Sequence, residues 1–235
     1  MSGVGVLVIL LLISSIPAIA VFIWFRLAHY PFSLPRFSFA LLTGAASFFP
    51  ALFLQNFLAA GSKMVHITDK WRLIVEIFIR IALTEELSRF IMLIILFLVI
   101  RRLSIIKQIE EPAPGTVISD LSMASTTGLV AGFGFAIIES AVFGVSNPHN
   151  ILLRIFTSAP LHGACGFRVG SAIAMSRKSP IQAFFRFFSA VAIHGAYNFM
   201  LEIPGLFPSI FAVLIALFAL TSCILTIHTD MKNPT

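Results

Sequence analysis

Charge is what this 235-residue chain has least of. Lys, Arg, Asp and Glu make up 11% of it, against about 25% in soluble globular domains. So few charges cannot cover a water-facing surface. Cysteine occurs only as Cys165 and Cys223, both in apolar stretches and with no C-x-x-C spacing. That excludes a disulfide framework, and both read as small buried hydrophobes. The chain has no H-E-x-x-H, no G-x-S-x-G and no P-loop glycine pattern, so the common soluble hydrolase and nucleotide-binding templates are absent. No internal repeat of 20–50 residues is present, which speaks against solenoids and against transporters built from duplicated halves. No Lys or Arg precedes the first apolar run at 4–25. That run exceeds a signal-peptide core, so it reads as a retained helix despite the A-x-A-like pair Ala18 and Ala20. No basic patch interleaves with aromatics, and nothing argues for a nucleic-acid partner.

What remains is apolar. Hydrophobic residues reach 58%, with 25 Phe, and the mean hydropathy is +1.00. Several runs are long enough to cross a bilayer. The expected fold is all-α: a polytopic bundle of about seven transmembrane helices forming a single integral-membrane domain, 1–235. The spans read as 4–25, 37–60, 73–100, 121–146, 151–175, 181–203 and 205–228. Trp24 and Trp71 fall at span ends, where aromatic belts form. Pro31, Pro35, Pro112, Pro114, Pro148, Pro180 and Pro204 punctuate the connections, and the longest of these holds the polar stretch Glu110–Gly115. His29, His66, His149 and His228 lie in or beside connections and read as interfacial. Nine Lys and Arg flank the first, third and fifth connections and the C-terminus; four flank the opposite side. The positive-inside rule then puts the N-terminus outside and the C-terminus in the cytoplasm of a plasma-membrane protein. The basic connections suit anionic membrane lipids.

Against this background a few polar residues stand out. Glu85 and Glu86 are adjacent in the middle of an apolar span, with Arg89 one turn on. Each charge at membrane depth costs roughly 2.5–3.5 kcal/mol even on insertion scales, so such groups pair, line a wet cavity or do chemistry. On a helix Arg89 can pair well with only one of the two glutamates, leaving the other for a cavity. Glu139, His162 and His194 come from three further spans. At 1.5 Å rise per residue, Glu85, His162 and His194 lie roughly 18, 16 and 20 Å into their helices, so the depths match. His194 and Asn198 share a helix face at i,i+4, where an amide beside an imidazole can stabilise an oxyanion. Gly128, Gly132, Ala136 and Ser140 repeat every four residues and read as a helix-packing face. Glu76 and Arg80, also i,i+4, read as a structural ion pair near the outer interface.

The order Glu85-Glu86-x-x-Arg89, Phe135-x-x-x-Glu139, His162 with a glycine-rich turn after it, and His194-x-x-x-Asn198 resembles the PrsW family of intramembrane proteases. It is similar, more distantly, to the CAAX prenyl endopeptidases and to the seven-helix non-catalytic subunit of gamma-secretase. The resemblance runs from about Thr84 to Asn198. The family pattern has Lys at Arg89, Asn at Ser140 and Asp at Asn198; the first exchange keeps the charge. The resemblance implies an intramembrane peptidase acting on a membrane-anchored protein substrate, such as an anti-sigma factor, with Glu85, Glu86, Glu139, His162, His194 and Asn198 as the catalytic set.

Two chemistries fit these residue types. Without metal, Glu85 takes a proton from water, Glu139 and His162 orient it, and His194 and Asn198 stabilise the oxyanion. With metal, His162, His194 and one carboxylate, Glu139 being a candidate, hold Zn²⁺ while another glutamate is the base. A non-catalytic scaffold binding partner helices is the alternative, but a scaffold does not call for a doubled glutamate and a third acid. A proton-coupled transporter is a further reading, weakened by the missing repeat.

Overall fold

The computed structural model describes residues 3–62, 69–102, 119–146 and 151–232. The Glu110–Gly115 stretch, His66, His149, Lys63, Lys107, Pro112, Pro114 and Pro148 lie outside the described residues. Among the described residues ten α-helices run in order: α1 Gly3–Ser14, α2 Ile16–Leu27, α3 Leu34–Ser62, α4 Asp69–Val75, α5 Thr84–Arg102, α6 Asp120–Ser146, α7 Ile151–Phe156, α8 Ser158–Met175, α9 Pro180–Glu202 and α10 Leu206–Lys232. A π-helical segment, Glu76–Leu83, joins α4 to α5. There is no strand among the described residues. This is an all-α polytopic membrane bundle. Among the described residues four helical stretches are long and apolar enough to cross a membrane: Val4–Leu27, Leu34–Ala59, Asp120–Ser146 and Leu206–Met231. The other three long segments carry the charged and imidazole groups singled out from the sequence except Glu139, which lowers their hydropathy.

Each expected span corresponds to a helical segment, with local differences that have physical causes. The first breaks at Ser15, whose hydroxyl bonds to the Leu12 carbonyl at 2.7 Å. Pro17 follows at once, and it can neither donate to the preceding turn nor tolerate its carbonyl. The fifth breaks at Thr157 because the ring of Pro160 opposes the carbonyl of Phe156, where α7 ends. The third runs continuously from Asp69 to Arg102 through the π segment. The glycines after His162 sit inside α8 and form no turn.

Helix α6 is the axis of the bundle. A Cβ at Gly132 would lie 2.0 Å from the His162 carbonyl oxygen, and one at Gly128 would lie 2.1 Å from that of Gly166. Only glycine lets α6 and α8 approach this closely, as expected from the small-residue stripe. On the other side Gly134 abuts the Leu41 carbonyl of α3. The polar residues of α6 are satisfied internally: Ser125 meets Ser171 at 2.6 Å, and Thr126 bonds to the Tyr30 phenol at 2.9 Å. Tyr30 lies between α2 and α3, where burial raises its pKa above the ordinary phenol value.

Candidate active site

The site begins with the π segment. Its wider turns rotate the residues that follow, a device that recurs at functional sites. Thr84 closes it, donating its hydroxyl to the carbonyls of Arg80 (2.6 Å) and Ile81 (3.0 Å), which the irregular turn would otherwise leave poorly satisfied. Next to His194, a Cβ at Gly195 would come within 2.3 Å of the Phe78 ring, so glycine there lets α9 lie directly on the π segment. The two helices therefore meet just where Glu85, Glu86 and His194 face one another.

Glu86 is fully buried and ion-pairs with Arg89, which is equally buried. This is the single good pairing that the i,i+3 spacing allows. Arg89 also lies over the Phe135 ring, 4.7 Å from its centroid. Its guanidinium donates to His162 Nδ1 at 3.2 Å. Guanidinium only donates, so His162 Nδ1 is the acceptor and Nε2 carries the proton. His162 Nε2–H then donates to Glu139 Oε2 at 3.0 Å. Glu139 is held from its other side by Arg154, and Ser158 donates to it at 3.2 Å.

His194 is wired differently. Its Nδ1 lies 2.8 Å from Glu86 Oε1. An ionised carboxylate only accepts, so Nδ1–H donates and Nε2 is left without a hydrogen-bond partner. Across from it, 3.6 Å away, is Glu85 Oε2, beyond hydrogen-bond reach. That oxygen is buried and has no hydrogen-bond partner among the described residues. The other oxygen of Glu85 accepts from Gln55 Nε2 at 2.9 Å. The two imidazoles stand edge to face, ring centroids 4.9 Å apart.

Glu85, Glu86, Arg89, Glu139, His162 and His194, drawn from α5, α6, α8 and α9, thus form one contiguous cluster. Asn198 lies one turn from His194, half-buried and with no side-chain hydrogen bond among the described residues. The sequence reading missed two members. Gln55 is the first, and the adjacent amides Gln55 and Asn56 inside an apolar span were its signal. Arg154 is the second; it reads as an ordinary connection charge until α7 folds it back over Glu139.

A metal ion fits this donor set in a specific way. One ligand atom each from Glu85, His162 and His194 lies within 4.8 Å of the others. Zinc bonds of about 2.0–2.2 Å in tetrahedral geometry place two ligand atoms about 3.4 Å apart, close to the separation of the bare Glu85 and His194 atoms. His162 joins that set by giving up one of its two hydrogen bonds. The carboxylate grouped with the imidazoles is Glu85, where the sequence had offered Glu139. Glu139 instead behaves as an orienting carboxylate, as Glu86 does for His194.

The sequence model of a family described as PrsW family intramembrane metalloprotease matches residues 34–223. No curated protein and no solved structure matches the chain.

Proposed function

The chain belongs to the PrsW family of intramembrane metalloproteases, and from that premise we propose that the buried cluster hydrolyses a peptide bond of a membrane-anchored protein substrate with a water activated by glutamate. The observation that carries this reading is the bare Glu85 Oε2, buried and aimed at an equally bare imidazole nitrogen. A buried acceptor without a partner is costly, and a share of a cation or a proton from the attacking water is what it is placed to accept.

Each neighbour then has a role. Glu86, neutralised by Arg89, fixes the tautomer of His194 so that Nε2 faces the reacting space. Glu139 orients His162 in the same way and, with its side chain 25% exposed, is the carboxylate nearest an entry for water. The Asn198 amide, one turn beyond His194, supplies a donor for the oxyanion. Glu85, His162 and His194 would hold a divalent cation such as Zn²⁺, which when bound polarises the scissile carbonyl and acidifies water.

A substrate helix hides its backbone in its own hydrogen bonds, so it must unwind locally or be cut at its end. We assign a membrane-anchored protein, such as an anti-sigma factor, as the substrate class. We place the chain in the plasma membrane with its N-terminus outside and its C-terminus in the cytoplasm, on the distribution of basic residues. The test is reconstitution in proteoliposomes with a tethered reporter, combined with metal analysis. The expected result is cleavage by protein carrying about one zinc per chain, lost on chelation and restored by zinc. Absence of cleavage from correctly inserted protein contradicts the assignment.

A further inference from the structure

We infer that Gln55, on α3 and outside every motif the sequence offered, is the positioning residue that sets which oxygen of Glu85 does the work. This rests on the active-site reading above. Glu85 has two carboxylate oxygens in a fully buried setting. Gln55 Nε2 donates to Oε1 at 2.9 Å, and Oε2 receives nothing. That one amide makes the carboxylate asymmetric. It pins the side chain so that Oε2 stays 3.6 Å from His194 Nε2. Without it Glu85 is free to rotate toward Arg89, whose Nε is also buried and unpartnered. Such a rotation would trade the open geometry for a second ion pair. Two of the site's three carboxylates are held by a guanidinium, Glu86 by Arg89 and Glu139 by Arg154, whereas Glu85 is held by a neutral amide. A neutral donor suits the group that must accept a proton or share a cation, because a full positive charge would hold its electron pairs too tightly.

Gln55 has the attributes of a supporting group. Its side chain is half-buried, and α3 packs along both α5 and α6. Supporting hydrogen bonds of this kind typically alter activity or metal affinity 10–100-fold when removed. The alternative is a plain interhelical hydrogen bond whose loss lowers stability alone.

The experiment uses the full chain in proteoliposomes and compares wild type, Gln55→Met (same length, no donor) and Glu85→Gln. Cleavage of the tethered reporter is measured at varied substrate density, and zinc affinity is measured by competition with a chromogenic chelator in detergent. Gln55→Met is expected to lower kcat about 10–100-fold with KM within about threefold, and to weaken zinc binding by a similar factor. A Gln55→Met protein that melts earlier but keeps wild-type kcat and zinc affinity overturns the proposal while leaving the site intact. A Glu85→Gln protein that still cleaves overturns the site reading and the proposal with it. If wild type binds no zinc, the kcat comparison alone decides. If Gln55→Met does not fold, Gln55→Asn, which withdraws the amide by one methylene, is read by the same two measurements.

Discussion

Two glutamate–arginine pairs lie on the third helical segment, less than two turns apart, and they serve different ends. Glu76 and Arg80 pair at i,i+4 with side chains 34% and 27% exposed. Glu86 and Arg89 pair at i,i+3 with no exposure at all. The first is a partly exposed pair that neutralises two charges at the rim. The second is tied to three further helices through His194, His162 and Phe135. The same chemistry is therefore a local convenience in one place and a structural keystone in the other. The contrast extends to whole helices. Over 18 residues of Val4–Leu27 the mean hydropathy is 3.0 yet 17% of the residues are buried, whereas over 18 residues of Asp120–Ser146 it is 1.8 and 67% are buried. In a bilayer the greasiest helices face lipid, and small or polar residues hold the centre.

Substitutions can test this contrast, starting with the largest effect. Arg89→Met leaves Glu86 buried without a counter-charge and should cost about 3–5 kcal/mol, seen as a collapse of the thermal transition of purified protein. Adding Glu86→Gln should recover much of that stability without restoring cleavage. Gly132→Val drives a methyl-bearing carbon into the His162 carbonyl and should cost about 3 kcal/mol, with loss of activity because the same backbone carries the imidazole. Arg80→Met should cost at most about 1 kcal/mol and leave cleavage near wild type. Phe218→Leu, on a lipid-facing surface of α10 with 78% exposure, should shift stability by less than about 0.5 kcal/mol. If Arg80→Met proves as damaging as Arg89→Met, the distinction between rim and centre fails.

Most of the architecture is legible in the sequence, because membrane spans announce themselves by length and apolarity. The doubled glutamate with its arginine, the third glutamate and the two histidines are legible too, since charge at membrane depth has few innocent explanations. The breaks at Ser15 and Thr157 were less so. Pro17 and Pro160 mark them, but a proline in a membrane helix can equally be absorbed as a kink. The π segment was not legible, because nothing in Glu76–Leu83 differs in kind from α-helical sequence; the Phe78 ring packs against Gly195, a contact distant in sequence. Which carboxylate joins the imidazoles was also hidden. Spacing along one helix fixes its own face, whereas the choice between Glu85 and Glu139 depends on how α5, α6, α8 and α9 rotate against one another. Gln55 and Arg154 escaped for the same reason: each becomes part of the site only through a contact distant in sequence.

The account turns on the carboxylate of Glu85 and its unpartnered oxygen. The most direct measurement is cleavage of a tethered reporter by Glu85→Gln, reconstituted at the same density and with the same insertion as wild type. The exchange keeps size and fold while removing the charge that accepts a proton or shares a cation, and the expected result is cleavage reduced by at least about a thousandfold with the thermal transition preserved. Cleavage at the wild-type rate by the folded variant would contradict it.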